Sequence, residues 1–147
     1  MPVSSWSTTA SSNATADSAS GISWPEGMSP ASVNDSARAM MAVIKGDFAN
    51  SLTSNGYQKF PNGAILQWGY LTVTAGDIGV TFPTAFPTAC LSVTITAASP
   101  APSGTQAFVA HATGKSTTAF AARGRSVSSG GTVAVSAIDA SWIAVGY

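Results

Sequence analysis

The chain has 147 residues, of which only 8% are charged, and its formal net charge is zero. So few cations exclude an electrostatic footprint for nucleic acid, and the single cysteine, Cys90, excludes an intrachain disulfide and a thiolate metal site within one chain. Because soluble domains average about 25% charged residues, much of the surface is expected to be buried against other chains, solvated by uncharged polar side chains, or both.

Residues 1–30 are dominated by serine, threonine and alanine and hold too few apolar side chains to bury a core. No secretory signal begins the chain and no apolar run reaches membrane-spanning length, so folding in a cytoplasm is expected. Three large apolar side chains, Trp6, Ile22 and Trp24, interrupt this polar arm. They are candidate anchors into grooves of a partner protein, and a solvated flexible tail is the alternative.

A helical pattern follows over residues 31–53, with Ser29 available as its cap and Pro30 suited to its first position. Its apolar residues form a single stripe, made of Val33, Ala37, Met40, Met41, Ile44 and Phe48. The sequence contains no second helix to cover this stripe. Packing against copies of itself in a parallel bundle is therefore predicted, and packing onto the β domain or onto another protein is the alternative.

Residues 54–147 contain seven short runs typical of β-strands, at 64–74, 80–82, 90–97, 105–112, 117–123, 132–137 and 141–147. In the third run apolar and polar residues alternate from Leu91, which predicts one buried and one polar face. Pro83 and Pro87 indicate an edge or a crossover. The predicted fold class is mainly β: an antiparallel β-sandwich preceded by one α-helix and an extended N-terminal arm.

The aromatic residues of this β module are predicted to be mostly internal. Six of them fit a core or an interface between chains better than an exposed platform: Trp68, Phe82, Phe86, Phe108, Phe120 and Trp142. Tyr57 and Tyr70 are expected to be the exposed ones. The apolar run at 142–147 must be tied into the sheet as its last strand, since a frayed end would leave it in water.

Catalytic chemistry is scarce in the β module. His111 is the sole histidine and its neighbours supply no carboxylate, so a metal site would require several copies to meet on a threefold axis. Glycoside cleavage needs a pair of acids, whereas Asp77 and Asp139 are both typical of turns. No enzymatic activity, metal or cofactor is expected.

Four motifs follow one another in the β module: GYQKFPNG at 56–63, QWG at 67–69, the doubled FPTA at 82–89 and WIAVGY at 142–147. With these motifs in this order, residues 55–147 resemble the C-terminal tip domain of bacteriophage tail-fibre proteins. The segment that holds Trp6, residues 22–27 and residues 33–41 resembles the virion-attaching N-terminus of phage tail and fibre proteins.

The resemblance implies a homotrimeric tail fibre in the virion, assembled in the host cytoplasm. Residues 1–30 would attach it to a tail or baseplate protein, the helix at 31–53 would join three chains, and residues 54–147 would form a tip that contacts a glycan or protein on the host surface. Neither a nucleic-acid partner nor membrane insertion is implied. The alternative is a purely structural virion component, a cap or adaptor without receptor contact, and a glycan hydrolase is disfavoured for want of acids.

Loops at 99–104, 111–117 and 123–131 are the long connections of the module, where binding normally resides. The candidate receptor contacts are His111, Lys115, Arg123 and Arg125. If these side chains share the distal end, three copies together would face an anionic surface such as phosphorylated lipopolysaccharide. The alternative is that both arginines solvate a strand end or pair with Asp139.

Overall fold

A computed structural model describes residues 6–7, 10–13, 21–74, 77–101 and 103–147. Within these ranges the chain has nine strands, one α-helix and a 3₁₀ turn, Ala10–Asn13. The chain divides into two compact units. The N-terminal unit reaches Ala49 and includes Lys59–Ala64, and the C-terminal unit comprises Asn50–Gln58 and Ile65–Tyr147. Part of the arm predicted at 1–30, namely residues 1–5, 8–9 and 14–20, lies outside the described residues.

Helix α1 spans Pro30–Asp47. Its first turn is capped by Ser29, whose Oγ accepts a hydrogen bond from the Ser32 amide at 3.2 Å. The helix ends six residues before the predicted position 53, because Phe48 leaves the helical conformation and the chain then forms a short strand. In the N-terminal unit, the hydroxyl of Ser36 is the buried polar group of the helix and donates to the Ser23 carbonyl at 2.8 Å.

The strands form two antiparallel sheets. They are β1 (Asn50–Ser51), β2 (Gly56–Lys59), β3 (Ile65–Val73), β4 (Asp77–Thr81), β5 (Cys90–Ser99), β6 (Gln106–Thr113), β7 (Ala119–Ser128), β8 (Val133–Val135) and β9 (Ile138–Gly146). One sheet has five strands in the order β1-β2-β3-β9-β5, and the other has the order β4-β7-β6 with β8 paired to β7. The predicted antiparallel β-sandwich is confirmed, and it includes two short strands, β1 and β2, that are not among the seven predicted runs.

Both sheets direct alternate side chains into one hydrophobic core. At its centre four aromatic rings, those of Phe82, Phe86, Phe120 and Trp142, lie 5.0–5.8 Å apart between centroids. Such tilted and edge-to-face contacts add to the free energy gained by burial. These four aromatics are core residues as predicted.

Three other aromatic residues lie away from the centre of the core. Trp68 is half-buried on the outer face of the five-stranded sheet, where its indole donates to the Thr53 carbonyl at 3.1 Å. Tyr70 is exposed as predicted, whereas the prediction of an exposed Tyr57 is wrong because this ring packs against the core.

The doubled FPTA segment is a crossover between the sheets, leading from β4 to β5. Gln67, fully buried on β3, fixes this loop through two hydrogen bonds to the Thr84 backbone. Its Nε2 donates to the Thr84 carbonyl at 2.8 Å, and its Oε1 accepts from the Thr84 amide at 3.0 Å. The Gln67 side chain thus supplies hydrogen-bond partners to the backbone of this loop, whose prolines have no N–H group to donate to a strand.

Strand β9 is an inner strand of the five-stranded sheet and pairs with β3 on one side and with β5 on the other. Beyond it, the Tyr147 carbonyl accepts hydrogen bonds from the Thr88 and Ala89 amides, both at 2.8 Å. The prediction that residues 142–147 close the sheet is therefore confirmed.

The sandwich has two ends, called the entry end and the far end. At the entry end, Ile65 and Cys90 both pair with Gly146. At the far end, Val73 pairs with Ile138. The connection at 136–137 leads into Ile138 and therefore lies at the far end, and the connection at 129–132 lies close to it because β8 is only three residues long.

Candidate functional site

A row of charged side chains crosses the outer face of the four-stranded sheet. On β7, Arg123 and Arg125 alternate with residues that face the core, so both guanidinium groups lie outside. The register places Asp77 of β4 on one side of Arg123 and His111 of β6 on the other. Arg123 Nε lies 2.8 Å from Asp77 Oδ2, and Arg125 Nη2 lies 3.5 Å from Asp77 Oδ1.

These positions correct two sequence-based expectations. The strand predicted to end at residue 123 continues through Arg125 to Ser128, and His111 lies in β6, as the predicted strand at 105–112 implies, rather than in the loop expected at 111–117. The outer face of these strands is solvated and accepts polar side chains at every second position. The alternative partner for the arginines is Asp77, not Asp139. One carboxylate thus neutralises one of the two cations, and at this exposure the ion pairs contribute only about 0–1 kcal/mol each.

Lys115 lies apart from that row, in the turn between β6 and β7 at the entry end. Its Nζ donates to the Leu91 carbonyl at 2.7 Å. The four candidate receptor contacts therefore do not share one end of the module, since the turn that holds Lys115 is at the opposite end of β7 from the connection at 129–132. Burial raises the pKa of the nearby Cys90 thiol, an effect that the Lys115 ammonium partly offsets.

A second polar group lies at the far end, on the outer face of the five-stranded sheet. Thr72 Oγ1 donates a hydrogen bond to Asp139 Oδ1 at 2.6 Å, and Tyr70 lies on the same outer face of β3 as Thr72. Partial desolvation and the adjacent Asp139 charge raise the pKa of Tyr70 above 10.0. Asp139 is a strand residue, not a turn residue, and the alternation of outward Asp139 and Ser141 with buried Ala140 and Trp142 is the sequence signal that could have placed it.

Large apolar side chains are exposed on both outer faces of the sandwich. The outer face of the four-stranded sheet presents Val109, Val133 and Val135, between 48% and 62% exposed. The outer face of the five-stranded sheet presents Ile143 and Val145. Val109 and Val135 pair with Arg125 from its two sides, so the apolar surface of the four-stranded sheet is interrupted by a charged side chain, whereas Ile143 and Val145 are neighbours on β9.

The predicted helix stripe is exposed in the N-terminal unit. Val33, Met41, Ile44 and Phe48 are all exposed, while Ala37 and Met40 are half-buried. Phe48 caps the helix rather than lying inside it. The stripe thus leaves apolar surface exposed to water, and burying that surface requires a further contact.

The three anchor candidates have different surroundings. Ile22 is buried within the N-terminal unit at 4% exposure, and Trp24 is half-buried. Trp6 is also half-buried, and its indole N–H has no acceptor among the described residues. Ile22 therefore packs within its own unit, and the two tryptophans are the more accessible of the three.

No group of three or more His, Cys, Asp or Glu side chains in the described part of the chain could hold a metal ion. None of the helices described there has both the length and the apolarity to cross a membrane.

Comparison with protein families gives one match. Residues 59–147 match the model of the gp53-like tail fiber protein C-terminal family. No curated protein matches the chain.

Solved structures of pyocin tail fibers are similar to this chain. An N-truncated R2-type pyocin tail fiber shares 28% identity at a TM-score of 0.56, over 76% of this chain and 43% of that one. A C-terminal piece of the Pseudomonas aeruginosa R2 pyocin fiber shares 27% identity at the same TM-score, over 76% of this chain and 29% of that one. An N-truncated R1-type fiber, at 24% identity and a TM-score of 0.51, covers 84% of this chain and all of that one, and supports the fold alone. The chain spans less than half of the two R2 fiber chains.

Proposed function

Because this chain belongs to the gp53-like tail fiber protein C-terminal family, we propose that it is a structural component of a phage tail fibre whose C-terminal sandwich is the tip that contacts the host surface. The observation that carries the proposal is the family match over residues 59–147, which coincides with the β module. Similarity to pyocin tail fibers over 76% of the chain supports the same role.

The fibre is a homotrimer in this proposal. The support is the exposed stripe of α1, where Val33, Met41 and Ile44 lie on a helix of 18 residues without a helical neighbour in the described ranges. Three copies packed in parallel would bury this stripe around a common axis. A trimer also explains how a chain with 8% charged residues stays soluble, since its apolar surfaces would be covered by one another.

Attachment to the tail or baseplate is assigned to the N-terminal arm, through Trp6 and Trp24. Their large, partly accessible rings are the kind of side chain that fills a partner's pocket. Ile22 would hold the arm to its own unit instead.

Receptor contact is assigned to the outer face of the four-stranded sheet and to the far end of the sandwich. Arg123, Arg125 and His111 are the basic part of this surface. With Asp77 neutralising one guanidinium, each copy keeps one net positive charge in this row, and three copies would act together on a repetitive surface.

Adsorption competition tests the proposed role. The purified chain, added in excess to cells of the adsorbing strain before the phage, is expected to reduce adsorption, because it occupies the receptor. The same chain unfolded by heat is the control. Undiminished adsorption at saturating folded chain would contradict a receptor-binding tip.

A purely structural role, as a cap or adaptor within the virion, is the second candidate. The pairing of both arginines with Asp77 favours it, because it leaves little free positive charge for a receptor. In that case the chain would not compete for adsorption, but virions assembled without it would be incomplete.

A further inference from the structure

The far end of the sandwich carries a group of hydrogen-bond acceptors beside a shallow depression. Tyr70, Thr72 and Asp139 form this group, called here the Asp139 cluster. The depression has a volume of about 230 Å³ and adjoins two members of the cluster. Its walls are Thr72, Pro100, Ala137, Ile138 and Asp139.

The hydrogen bonds within the cluster determine what it can still bind. An ionised carboxylate has about four lone-pair sites, and the Thr72 hydroxyl occupies one of those on Asp139. The free capacity of Asp139 is therefore entirely that of an acceptor. A ligand must therefore supply donors.

The charge of Asp139 excludes anionic ligands, and the residues that line the depression disfavour a bare metal ion. No described lysine or arginine forms an ion pair with Asp139, whereas Asp77 on the other sheet is paired with two arginines. An anionic ligand would be repelled by the uncompensated carboxylate. A bare metal ion needs several oxygen ligands and gains nothing from the apolar side of the depression, formed by Pro100, Ala137 and Ile138.

We propose that the Asp139 cluster is a subsite for a neutral saccharide residue. Adjacent sugar hydroxyls donate to the free lone pairs of Asp139, while the C–H face of the ring lies against Pro100 and Ala137. This inference rests on the proposed tip function and adds a ligand to it: an uncharged glycan at the far end, beside the contact proposed at Arg123 and Arg125. The volume admits one ring, which suits weak single sites multiplied by several copies.

Nuclear magnetic resonance of the full chain tests the subsite directly. Glucose, galactose, mannose and N-acetylglucosamine are titrated separately, with inorganic phosphate and calcium chloride as charged probes. At least one sugar is expected to shift the backbone amides of Tyr70, Thr72 and Asp139, and neither charged probe should. No shift there with any of the four sugars, or shifts with phosphate or calcium alone, would overturn the proposal.

Two matched variants separate the subsite from general effects. Asp139→Asn removes the charge and is expected to weaken sugar binding about tenfold, because charge-assisted hydrogen bonds become neutral ones. Asp77→Asn makes the same chemical change on the other sheet and should leave sugar binding unchanged. Dispersed amide spectra without sugar establish that both variants are folded. Equal sugar affinity in wild type and Asp139→Asn would overturn the proposal.

Adsorption competition distinguishes this inference from the function on which it rests. If the wild-type chain fails to compete with phage, the proposed tip function fails. If wild type competes and Asp139→Asn competes equally well, the tip function stands and the saccharide subsite is wrong.

Discussion

At the scale of single residues, the packing of the fold depends most on a buried polar residue, Gln67, and on a glycine, Gly69. Gln67 is fully buried beside the aromatic core, yet both ends of its amide are hydrogen-bonded to the Thr84 backbone. The sequence QWG marks this position as part of a motif but does not reveal its partner, which is 17 residues away. Asp139 was misplaced for a similar reason, since its role depends on Thr72 and Tyr70 of another strand.

Replacing Gln67 with leucine is expected to destabilise the fold by about 2–4 kcal/mol, because the Thr84 amide and carbonyl would be left buried without partners. The midpoint of urea unfolding measures the loss. Gln106→Leu, on an exposed strand position, is the matched control and should change stability little. Equal effects of the two substitutions would show that the buried pair of hydrogen bonds contributes nothing.

Gly69 allows a close approach between strands. A Cβ added there would lie 2.6 Å from the Trp142 indole, whereas one added at Gly79 would meet nothing within 4 Å. Gly69→Ala is therefore expected to cost about 1–3 kcal/mol through overpacking, and Gly79→Ala to have little effect. Thermal unfolding of both variants tests this, and a Gly69→Ala variant as stable as Gly79→Ala would contradict the packing described.

Tyr70 predicts a pH dependence in the alkaline range. Its pKa is raised above 10.0 by desolvation and by Asp139, so the folded state favours the neutral hydroxyl. This contribution is fully present below pH 10 and is lost as the pH rises through the raised pKa. Tyr70→Phe should therefore lose less stability than wild type between pH 9 and pH 11 in urea unfolding, a window that brackets the ordinary tyrosine pKa of about 10. Parallel curves for the two proteins would contradict the assigned environment.

At the scale of elements, alternation predicted the strands where one face is apolar. It failed for the second half of β7, which was expected to be a loop from residue 123, although Gly124 faces the core between Arg123 and Arg125. In β5 a bulge between Cys90 and Ser92 turns Leu91 outward, so only the later residues of that run are packed against the core as predicted. Strands of two and four residues, β1 and β2, are too short to show a period.

The exposed stripe of α1 gives the prediction for this scale. If the helices form a bundle, Met41→Ser combined with Ile44→Ser should dissociate the assembly, because two apolar contacts per chain are lost. Ala42→Ser, at an exposed position beside them, is the control. Circular dichroism establishes that the helix persists, and light scattering gives the mass. An unchanged mass in the double variant would place assembly elsewhere, on the outer faces of the sandwich.

At the scale of the whole molecule, the proposed trimer would cover the exposed helix stripe and the exposed apolar side chains of the two sheets. The low share of charged residues, 8%, favours such self-association. Sequence resemblance predicted the fold class and family because four motifs occur in order, whereas the position of Lys115 at the entry end could not be predicted, since it depends on how the two sheets align.

The solution mass of the purified full chain is the most direct test of a self-assembled fibre. Light scattering is expected to give three times the 14.7 kDa of one chain, with no dissociation on moderate dilution. A mass of 14.7 kDa at all concentrations would contradict the trimeric fibre and leave the exposed apolar surfaces to partners of another kind.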